Sequence, residues 1–153
     1  MQALELRIPP PLVTLLTAGA MWVISFATPA IHTPHALRIS LAVTVSLIGL
    51  AFGLAGMLTF RLAKTTINPH NPKKTTSLVC SGVYRITRNP MYVGLLFTLL
   101  AWAVFLSSLW CLLGIVAFVL YIGRFQIAPE ERVLEAIFGS EFLDYKARVR
   151  RWL

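Results

Sequence analysis

Four long apolar stretches dominate the chain, and polar connections separate them. They cover residues 11–28, 37–60, 91–106 and 109–122. A helix needs about 20 mostly apolar residues to cross a bilayer, and these stretches approach that length. The pattern therefore predicts an all-α, polytopic membrane protein with four transmembrane helices.

The spacing within these stretches also predicts how the helices pack. Only Ser107 and Ser108 interrupt the last two stretches, which predicts a tight helical hairpin whose two ends return to the same face. In the second stretch, Gly49, Gly53 and Gly56 fall on nearly one helical face, a spacing that lets two backbones approach closely in lipid. Such a face packs equally well within one chain or between two, so both a monomer and a homodimer stay open.

The residues after Arg124 change to an amphipathic pattern. Apolar residues recur at steps of three or four, namely Leu134, Ile137, Phe138, Phe142, Tyr145 and Val149. This pattern predicts a helix that lies at the membrane surface. Pro129, followed by two acids, suits a helix start, and Gly139 suggests a break before a second, shorter helix.

Composition and charge agree with a membrane protein of one domain. Of the 153 residues, 57% are hydrophobic and 13% charged, more apolar than a soluble globule of this size. We divide the domain into two helices (1–60), a basic loop (61–90), a hairpin (91–127) and an amphipathic segment (128–153). The net charge of +8 does not favour nucleic-acid binding, because the cations lie between and after the apolar runs.

The distribution of cations predicts the orientation in the membrane. The 61–90 loop carries six of them, Arg61, Lys64, Lys73, Lys74, Arg85 and Arg88, whereas the connection before residue 37 offers only His32 and His35. By the positive-inside rule, the long loop and both termini are expected in the cytoplasm.

The first candidate for chemistry is the stretch 81–94, where the basic loop meets the third apolar run. Proline fits a first helical turn and disfavours helix in its predecessor, so Asn89-Pro90 predicts the start of the third helix. A helix N-terminus beside Arg85 and Arg88 suits a carboxylate or a phosphate. Anchoring to lipid headgroups is the alternative interpretation.

The second candidate is the acid pair Glu130-Glu131. No acidic residue occurs between Glu5 and Glu130, so anionic groups are concentrated in the C-terminal segment. The pair could hold a cationic or hydroxyl-bearing ligand, or it could simply stabilise a helix start. We expect no metal site, because His32 and His35 lack a third ligand, and no disulfide between Cys80 and Cys111.

These elements together resemble the isoprenylcysteine carboxyl methyltransferase and phospholipid methyltransferase superfamily of integral membrane enzymes. The matching motifs are Gly82-x-Tyr84, Arg88-Asn89-Pro90-x-Tyr92-x-Gly94, Glu130-Glu131 and Phe138-Gly139-x-x-Phe142-x-x-Tyr145-x-x-x-Val149. The resemblance covers residues 78–153. Asn89 stands where the family usually has histidine, and an amide cannot titrate near neutral pH.

The resemblance implies an S-adenosylmethionine-dependent methyltransferase whose acceptor is lipophilic, most simply the carboxylate of an isoprenylcysteine-like molecule. Cofactor contacts would come from Gly82, Tyr84, Arg85, Arg88, Asn89, Pro90, Tyr92, Gly94, Glu130 and Glu131. Catalytic roles would fall to Arg88, Arg124 and Glu131, with Arg124 and Glu131 as the pair facing the acceptor.

Other functions fit the same sequence features. The alternatives are a lipid amine N-methyltransferase, a nicotinamide-dependent membrane reductase and a non-catalytic membrane subunit. For the methyltransferase, the expected partners are membrane lipids and a lipophilic or prenylated substrate. Its expected location is the inner membrane of a prokaryote, with the active site facing the cytoplasm.

Overall fold

The computed structural model describes residues 5–63 and 77–153, and all regular secondary structure within these ranges is helical. A 3₁₀ turn, Gly82–Arg85, precedes the third helix. The helices are α1 (Pro10–Ala27), α2 (His35–Leu62), α3 (Pro90–Leu106), α4 (Cys111–Ile122), α5 (Ala128–Phe138) and α6 (Ser140–Arg148). The all-α prediction is confirmed for the described residues. Lys64, Lys73 and Lys74 of the predicted basic loop lie outside them.

Three helical stretches are long and apolar enough to cross a membrane. They are Pro10–Ala27, His35–Leu62 and the continuous stretch Cys111–Phe138. The apolar helix α3 has 17 residues and is shorter than these. Helices of the length and composition of membrane spans are therefore confirmed, whereas the count of four remains a prediction.

The predicted hairpin forms between α3 and α4. Helix α3 ends at Leu106 and is followed by Ser107, whose backbone is left-handed (φ 54°), and α4 begins four residues after Ser107. The connection between α1 and α2 is tied to this tip: Ile31 N donates to Ser107 O at 2.7 Å, and the Thr28 and Ser108 hydroxyls lie 2.8 Å apart. The serines therefore satisfy polar groups of both connections at one end of the bundle.

Glycines allow α2 and α3 to pack in close contact along their length. A Cβ atom at Gly49 would lie 2.9 Å from the Gly94 carbonyl oxygen, and one at Gly94 would lie 2.8 Å from the Gly49 carbonyl oxygen. Gly56 faces Pro90 at the start of α3. The predicted close approach of glycine-lined helices thus occurs within the chain, between α2 and α3.

The helix start expected at Pro129 is confirmed as the beginning of α5 at Ala128, but it is not a free helix end, because α4 runs into α5 without interruption. A π-helical segment, Gly123–Ile127, joins the two. Proline has no N–H and its ring clashes with the carbonyl four residues earlier, so a local widening of the helix accommodates Pro129. The carbonyl at that position, Phe125 O, accepts a hydrogen bond of 3.0 Å from Leu6 N instead.

The break predicted at Gly139 is confirmed. Gly139 has a positive φ of 53°, a conformation that glycine adopts without steric cost, and it separates α5 from α6. The amphipathic segment is therefore two helices at an angle. Its location at the membrane surface remains a prediction.

The apolar residues divide between an interior and a large exposed surface. Met21, Leu99, Cys111 and Phe118 are almost fully buried where α1, α3 and α4 meet. The outer faces of α1 and α2 expose many large apolar side chains, and Phe26 is 74% exposed. Apolar surface on this scale is typical of helices that contact lipid.

Candidate active site

A cavity of about 920 Å³ lies between α2, α3, α5 and the N-terminal segment. Its walls are mostly apolar, and its polar groups come from the turn before α3 and from the start of α5. Seven of the predicted site residues line it, namely Tyr84, Arg88, Asn89, Tyr92, Gly94, Glu130 and Glu131. The two candidate stretches, about 40 residues apart in sequence, thus share one cavity.

Arg88 and Glu131 form an ion pair at this cavity. Arg88 Nη2 lies 2.9 Å from Glu131 Oε1, and the side chains are only 9% and 10% exposed. Arg88 Nη1 also donates to Lys146 O at 3.1 Å. Arg151 contacts the same carboxylate, with Nε 3.1 Å from Oε1 and Nη2 bonded to Oε2. Glu131 is therefore held between two guanidinium groups.

Glu130, the neighbouring acid, has a different environment. Its Oε1 accepts a hydrogen bond of 2.6 Å from the Tyr92 hydroxyl, and no arginine contacts it among the described residues. Successive residues of a helix point about 100° apart, which explains why adjacent acids meet different partners. Glu130 therefore presents to the cavity an acidic group that has no arginine or lysine partner within the described part of the chain.

The backbone of the C-terminal segment accepts hydrogen bonds from the turn before α3. Asn89 Nδ2 donates to Arg151 O at 2.9 Å, and the Thr87 hydroxyl donates to the same oxygen at 3.2 Å. Arg88 N donates to Arg150 O at 3.0 Å. The amide of Asn89, at the position where the resembled family has histidine, thus fixes Arg151 next to Glu131.

Tyr84 and Tyr145 form a buried aromatic part of the wall. The Tyr145 hydroxyl donates to Tyr84 O at 2.7 Å, and the Tyr84 ring meets Phe60 edge-on at 5.3 Å. Burial raises the pKa of both phenols above the usual value, so both stay neutral at physiological pH. Both phenols are therefore uncharged parts of the cavity wall, and Tyr145 also donates a hydrogen bond.

Several predicted residues lie outside the cavity wall. Arg85 is exposed, Gly82 adopts a positive φ of 59° next to Thr59, and Pro90 is buried against Gly56. These residues build the turn that presents Arg88. Gly82 adopts the positive φ that the turn requires, and Pro90 fits the first turn of α3.

Arg124 also lies outside the cavity, and the predicted pair of Arg124 with Glu131 is not formed. Its guanidinium is exposed and lies 3.5 Å from Glu5. Residues seven apart share a face of a regular α-helix, but the π-helical segment between them adds a residue and turns Arg124 away. Arg88 and Arg151 take the place next to Glu131 instead.

Sequence reasoning missed Arg151, Thr87, Gln126 and the N-terminal segment. Buried Gln126 donates to Ile8 O at 2.8 Å and so holds residues 6–11 against the cavity. The run of arginines at 148–151 was the available signal for Arg151. No sequence pattern indicates that residues 6–11 fold back onto the junction of α4 and α5.

The fold and the site define a class: a helical membrane protein with a polar cluster in an otherwise apolar cavity. The family model described as phospholipid methyltransferase matches residues 37–141, more than half of the chain. The chain belongs to this phospholipid methyltransferase family.

Curated relatives agree with this assignment. The mouse protein-S-isoprenylcysteine O-methyltransferase is 32% identical over 141 residues, which cover 88% of this chain and 48% of the mouse protein. A probable protein-S-isoprenylcysteine O-methyltransferase of Oryza sativa subsp. indica is 34% identical over 121 residues, 71% of this chain and 61% of the rice protein. An uncharacterized protein of Haemophilus influenzae is 51% identical over 63 residues, 41% of this chain and all of its own length. The chain thus spans about half the length of the mouse relative, and no solved structure matches it.

Proposed function

We propose that this protein is an S-adenosylmethionine-dependent methyltransferase that acts on a lipophilic acceptor at the membrane interface. The observation that carries the proposal is the single cavity in which Arg88, Glu130 and Glu131 meet apolar walls, with Arg151 bonded to Glu131 from beside the cavity. Such a cavity suits two reactants of opposite solubility, one polar and one hydrocarbon-rich. The membership of the methyltransferase family supports the same activity.

The residues at the cavity fit the cofactor. A volume of about 920 Å³ falls within the range of small-molecule sites. Glu130 offers a carboxylate for an ammonium or for ribose hydroxyls, and Tyr84 and Tyr92 offer aromatic faces for an adenine. Arg88 Nε is buried and has no hydrogen-bond partner among the described residues, so it is available to an anion such as the cofactor carboxylate. When bound, S-adenosylmethionine supplies an electrophilic methyl group on a sulfonium.

The charge of the cluster favours a carboxylate as the acceptor. Arg88 and Arg151 contribute two positive charges against the single negative charge of Glu131. The residual positive charge attracts an anion and disfavours a protonated amine. The mouse relative, a protein-S-isoprenylcysteine O-methyltransferase, is named for an acceptor of this kind.

The apolar walls suit the hydrocarbon part of such an acceptor. Leu50, Leu54 and Met57 of α2 face the cavity together with Leu134 and Ile137 of α5. Burial of a hydrocarbon chain here contributes about 0.8 kcal/mol per CH₂ group. Binding energy from this remote part of the acceptor can orient its reacting end.

For a carboxylate acceptor, the protein needs to position groups and to exclude water. A carboxylate is already ionised at neutral pH and requires no general base. Arg88, held in place by Glu131 together with Arg151, would orient the carboxylate without quenching it fully, and the apolar walls of the cavity would limit its contact with water. Arg124 has no part in this arrangement, because it lies beside Glu5.

A phospholipid amine is the second candidate acceptor. Two observations favour it. The chain belongs to the phospholipid methyltransferase family, and Glu130 has no arginine partner among the described residues. Glu130 would hold the amine as a cation, and a proton would have to leave before the nitrogen attacks. The two acceptors therefore predict chemically different products.

Methyl transfer from radiolabelled S-adenosylmethionine distinguishes these candidates. Detergent-solubilised protein is given N-acetyl-S-farnesylcysteine or phosphatidylethanolamine, and the products are treated with base. A methyl ester releases labelled methanol, whereas an N-methyl group stays on the lipid. We expect base-labile product from the farnesylated acid. Base-stable labelled product from phosphatidylethanolamine would instead identify the amine as the acceptor. Folded protein that binds no S-adenosylmethionine in calorimetry would contradict the whole proposal.

A further inference from the structure

Arg38 is a cation at the end of the bundle that faces away from the polar cluster. It lies in the first turn of α2, beside the hairpin tip at Ser107. Helix α3 separates this end from Arg88, and its 17 residues rise about 25 Å. The proposed methyl transfer does not use Arg38.

The surroundings of Arg38 form a small cavity of about 200 Å³. Arg38 lines it together with Thr33, Ser107 and Ser108, while Leu37, Leu41 and Leu112 are among its apolar residues. Arg38 Nη1 is 3.5 Å from the Ser107 hydroxyl, Nη2 is 3.1 Å from His35 Nδ1, and the guanidinium lies 5.6 Å from the centre of the Phe105 ring. Arg38 Nε is buried and has no hydrogen-bond partner among the described residues.

No acidic side chain of this protein is placed to neutralise Arg38. The sequence contains six carboxylate side chains, and all are at the other end of the bundle or on α6. Glu5 pairs with Arg124 and Arg132, Glu131 with Arg88 and Arg151, and Glu135 with Lys146. Glu130 accepts from Tyr92, and Glu141 and Asp144 belong to α6. A partly desolvated cation is costly without an anion, so the counter-ion for Arg38 has to come from outside the chain.

The length of α2 locates Arg38 in the headgroup layer. Its 28 residues rise about 42 Å, close to the 40–45 Å of a bilayer with its headgroups. Arg38 is the fourth residue of α2 and therefore lies within about 6 Å of the helix end. The apolar side of the small cavity then faces the adjoining acyl region.

We propose that this cavity binds the phosphodiester of a phospholipid, with Arg38 as the principal contact and the Thr33 hydroxyl as a further donor. A guanidinium fork matches the oxygens of a phosphate and can donate two hydrogen bonds at once. The leucines beside it suit the start of an acyl chain. The site is structural or regulatory and is independent of the proposed methyl transfer.

Lipid binding by purified protein tests this site. Wild type, Arg38→Gln, Arg38→Lys and the control Arg85→Gln are purified in mild detergent. Native mass spectrometry then measures retained phospholipid, and thermal unfolding is followed with added phosphatidylglycerol, diacylglycerol or inorganic phosphate. Arg85 is a suitable control because it is an exposed arginine at the opposite end of α3.

We expect wild type and Arg85→Gln to retain a phospholipid and to be stabilised by phosphatidylglycerol but not by diacylglycerol. Loss of the charge-assisted hydrogen bonds in Arg38→Gln should weaken binding by about tenfold or more. Arg38→Lys should fall between them, because an ammonium cannot form the two-pronged contact. Equal retention by Arg38→Gln and wild type would overturn the proposal.

Two comparisons need only the wild-type protein and therefore remain informative even if a variant fails to fold. Stabilisation by diacylglycerol equal to that by phosphatidylglycerol would show that the phosphate is not recognised. Stabilisation by inorganic phosphate at the same concentration would indicate a free-anion site instead of a lipid site. Either result would overturn the proposal.

Discussion

At the scale of single residues, the two adjacent acids of α5 have different partners in the site. Glu131 is buried between Arg88 and Arg151, whereas Glu130 meets only the Tyr92 hydroxyl among the described residues. One turn of helix thus supplies both an ion-paired acid and an acid that no arginine contacts. In the proposed enzyme the cluster orients the acceptor and Glu130 binds the cofactor.

Glu131→Gln tests the cluster directly. The amide keeps the size of the side chain but leaves two guanidinium groups without their carboxylate, so both should move. A displacement of about 1 Å at a reacting centre can cost about 100-fold in rate, and we expect a loss of methyl transfer of that order. Radiolabelled methyl transfer measures it. Glu135→Gln is the matched control, since Glu135 is exposed and pairs only with Lys146 at 3.8 Å. Equal turnover in the two variants would contradict the assignment.

Arg151→Ala tests whether the C-terminal arginine is a positioning residue. It removes the second guanidinium from Glu131 but leaves Arg88 in place, and the side chain is 39% exposed. We therefore expect little change in unfolding temperature and a fall in kcat of about tenfold.

The controls for Arg151 are Arg148→Ala and Arg151→Lys. Arg148 is a nearby cation whose Nε donates only to Asp144 O, and its loss should leave kcat unchanged. Arg151→Lys should recover part of the activity, since it restores the charge but not the fork. If Arg151→Ala lowered the unfolding temperature but left the kcat of the folded protein unchanged, a positioning role would be excluded.

At the scale of helices, the crossing of α2 and α3 sets the position of the site. Gly49 and Gly94 place each backbone against the carbonyl oxygen of the other. This crossing fixes the start of α3, and with it Arg88, relative to the apolar wall of α2. Gly94 also lines the cavity, so its predicted contact with the cofactor stays a prediction beside its role in packing.

Gly49→Ala should separate these helices. The added Cβ would lie 2.8 Å from Phe97 Cβ and 2.9 Å from Gly94 O, and at least one contact is with backbone that cannot rotate away. Overpacking of this kind costs about 1–3 kcal/mol, so thermal unfolding should occur several degrees lower.

Gly19→Ala is the corresponding control in α1. A Cβ atom there has no neighbour within 4 Å, and alanine favours helix over glycine by up to about 1 kcal/mol. Its unfolding temperature should therefore be unchanged or higher. A Gly49→Ala variant as stable as Gly19→Ala would show that the close crossing is absent in solution.

At the scale of the whole molecule, the two ends of the bundle differ in character. The end with the α1–α2 connection and the hairpin tip carries hydroxyls, Arg38 and two histidines, and the other end carries the acid–arginine cluster and the N-terminal segment. The excess of cations toward the second end predicts that it faces the cytoplasm.

Thiol labelling in oriented vesicles tests this orientation. His32→Cys and Ser140→Cys are made singly in a Cys80→Ser, Cys111→Ala background, and both target positions are exposed. A membrane-impermeant maleimide should label position 140 from the cytoplasmic face and position 32 from the opposite face. Labelling of both positions from one face, or the reverse pattern, would contradict the predicted topology.

Much of this arrangement follows from local sequence. The apolar runs predicted the helices to within a few residues, Asn89-Pro90 predicted the start of α3, and Gly139 predicted the break before α6. These features depend on hydrophobic length and on the backbone preferences of proline and glycine, which act within a few residues. Pro129 marked the beginning of α5, but no local pattern indicated the π-helical segment that joins α5 to α4.

The sequence by itself determined the helical membrane class and brought the Arg88 and Glu130-Glu131 motifs forward as one candidate site. Only the tertiary structure decided which guanidinium meets which carboxylate: Arg151 joins Arg88 at Glu131, while Arg124 turns to Glu5. The physical reason is that ion pairs between distant segments depend on helix rotation and crossing. One extra residue in a helical turn redirects a side chain, and so does the path of a terminal segment. Neither changes the hydrophobic periodicity of the sequence.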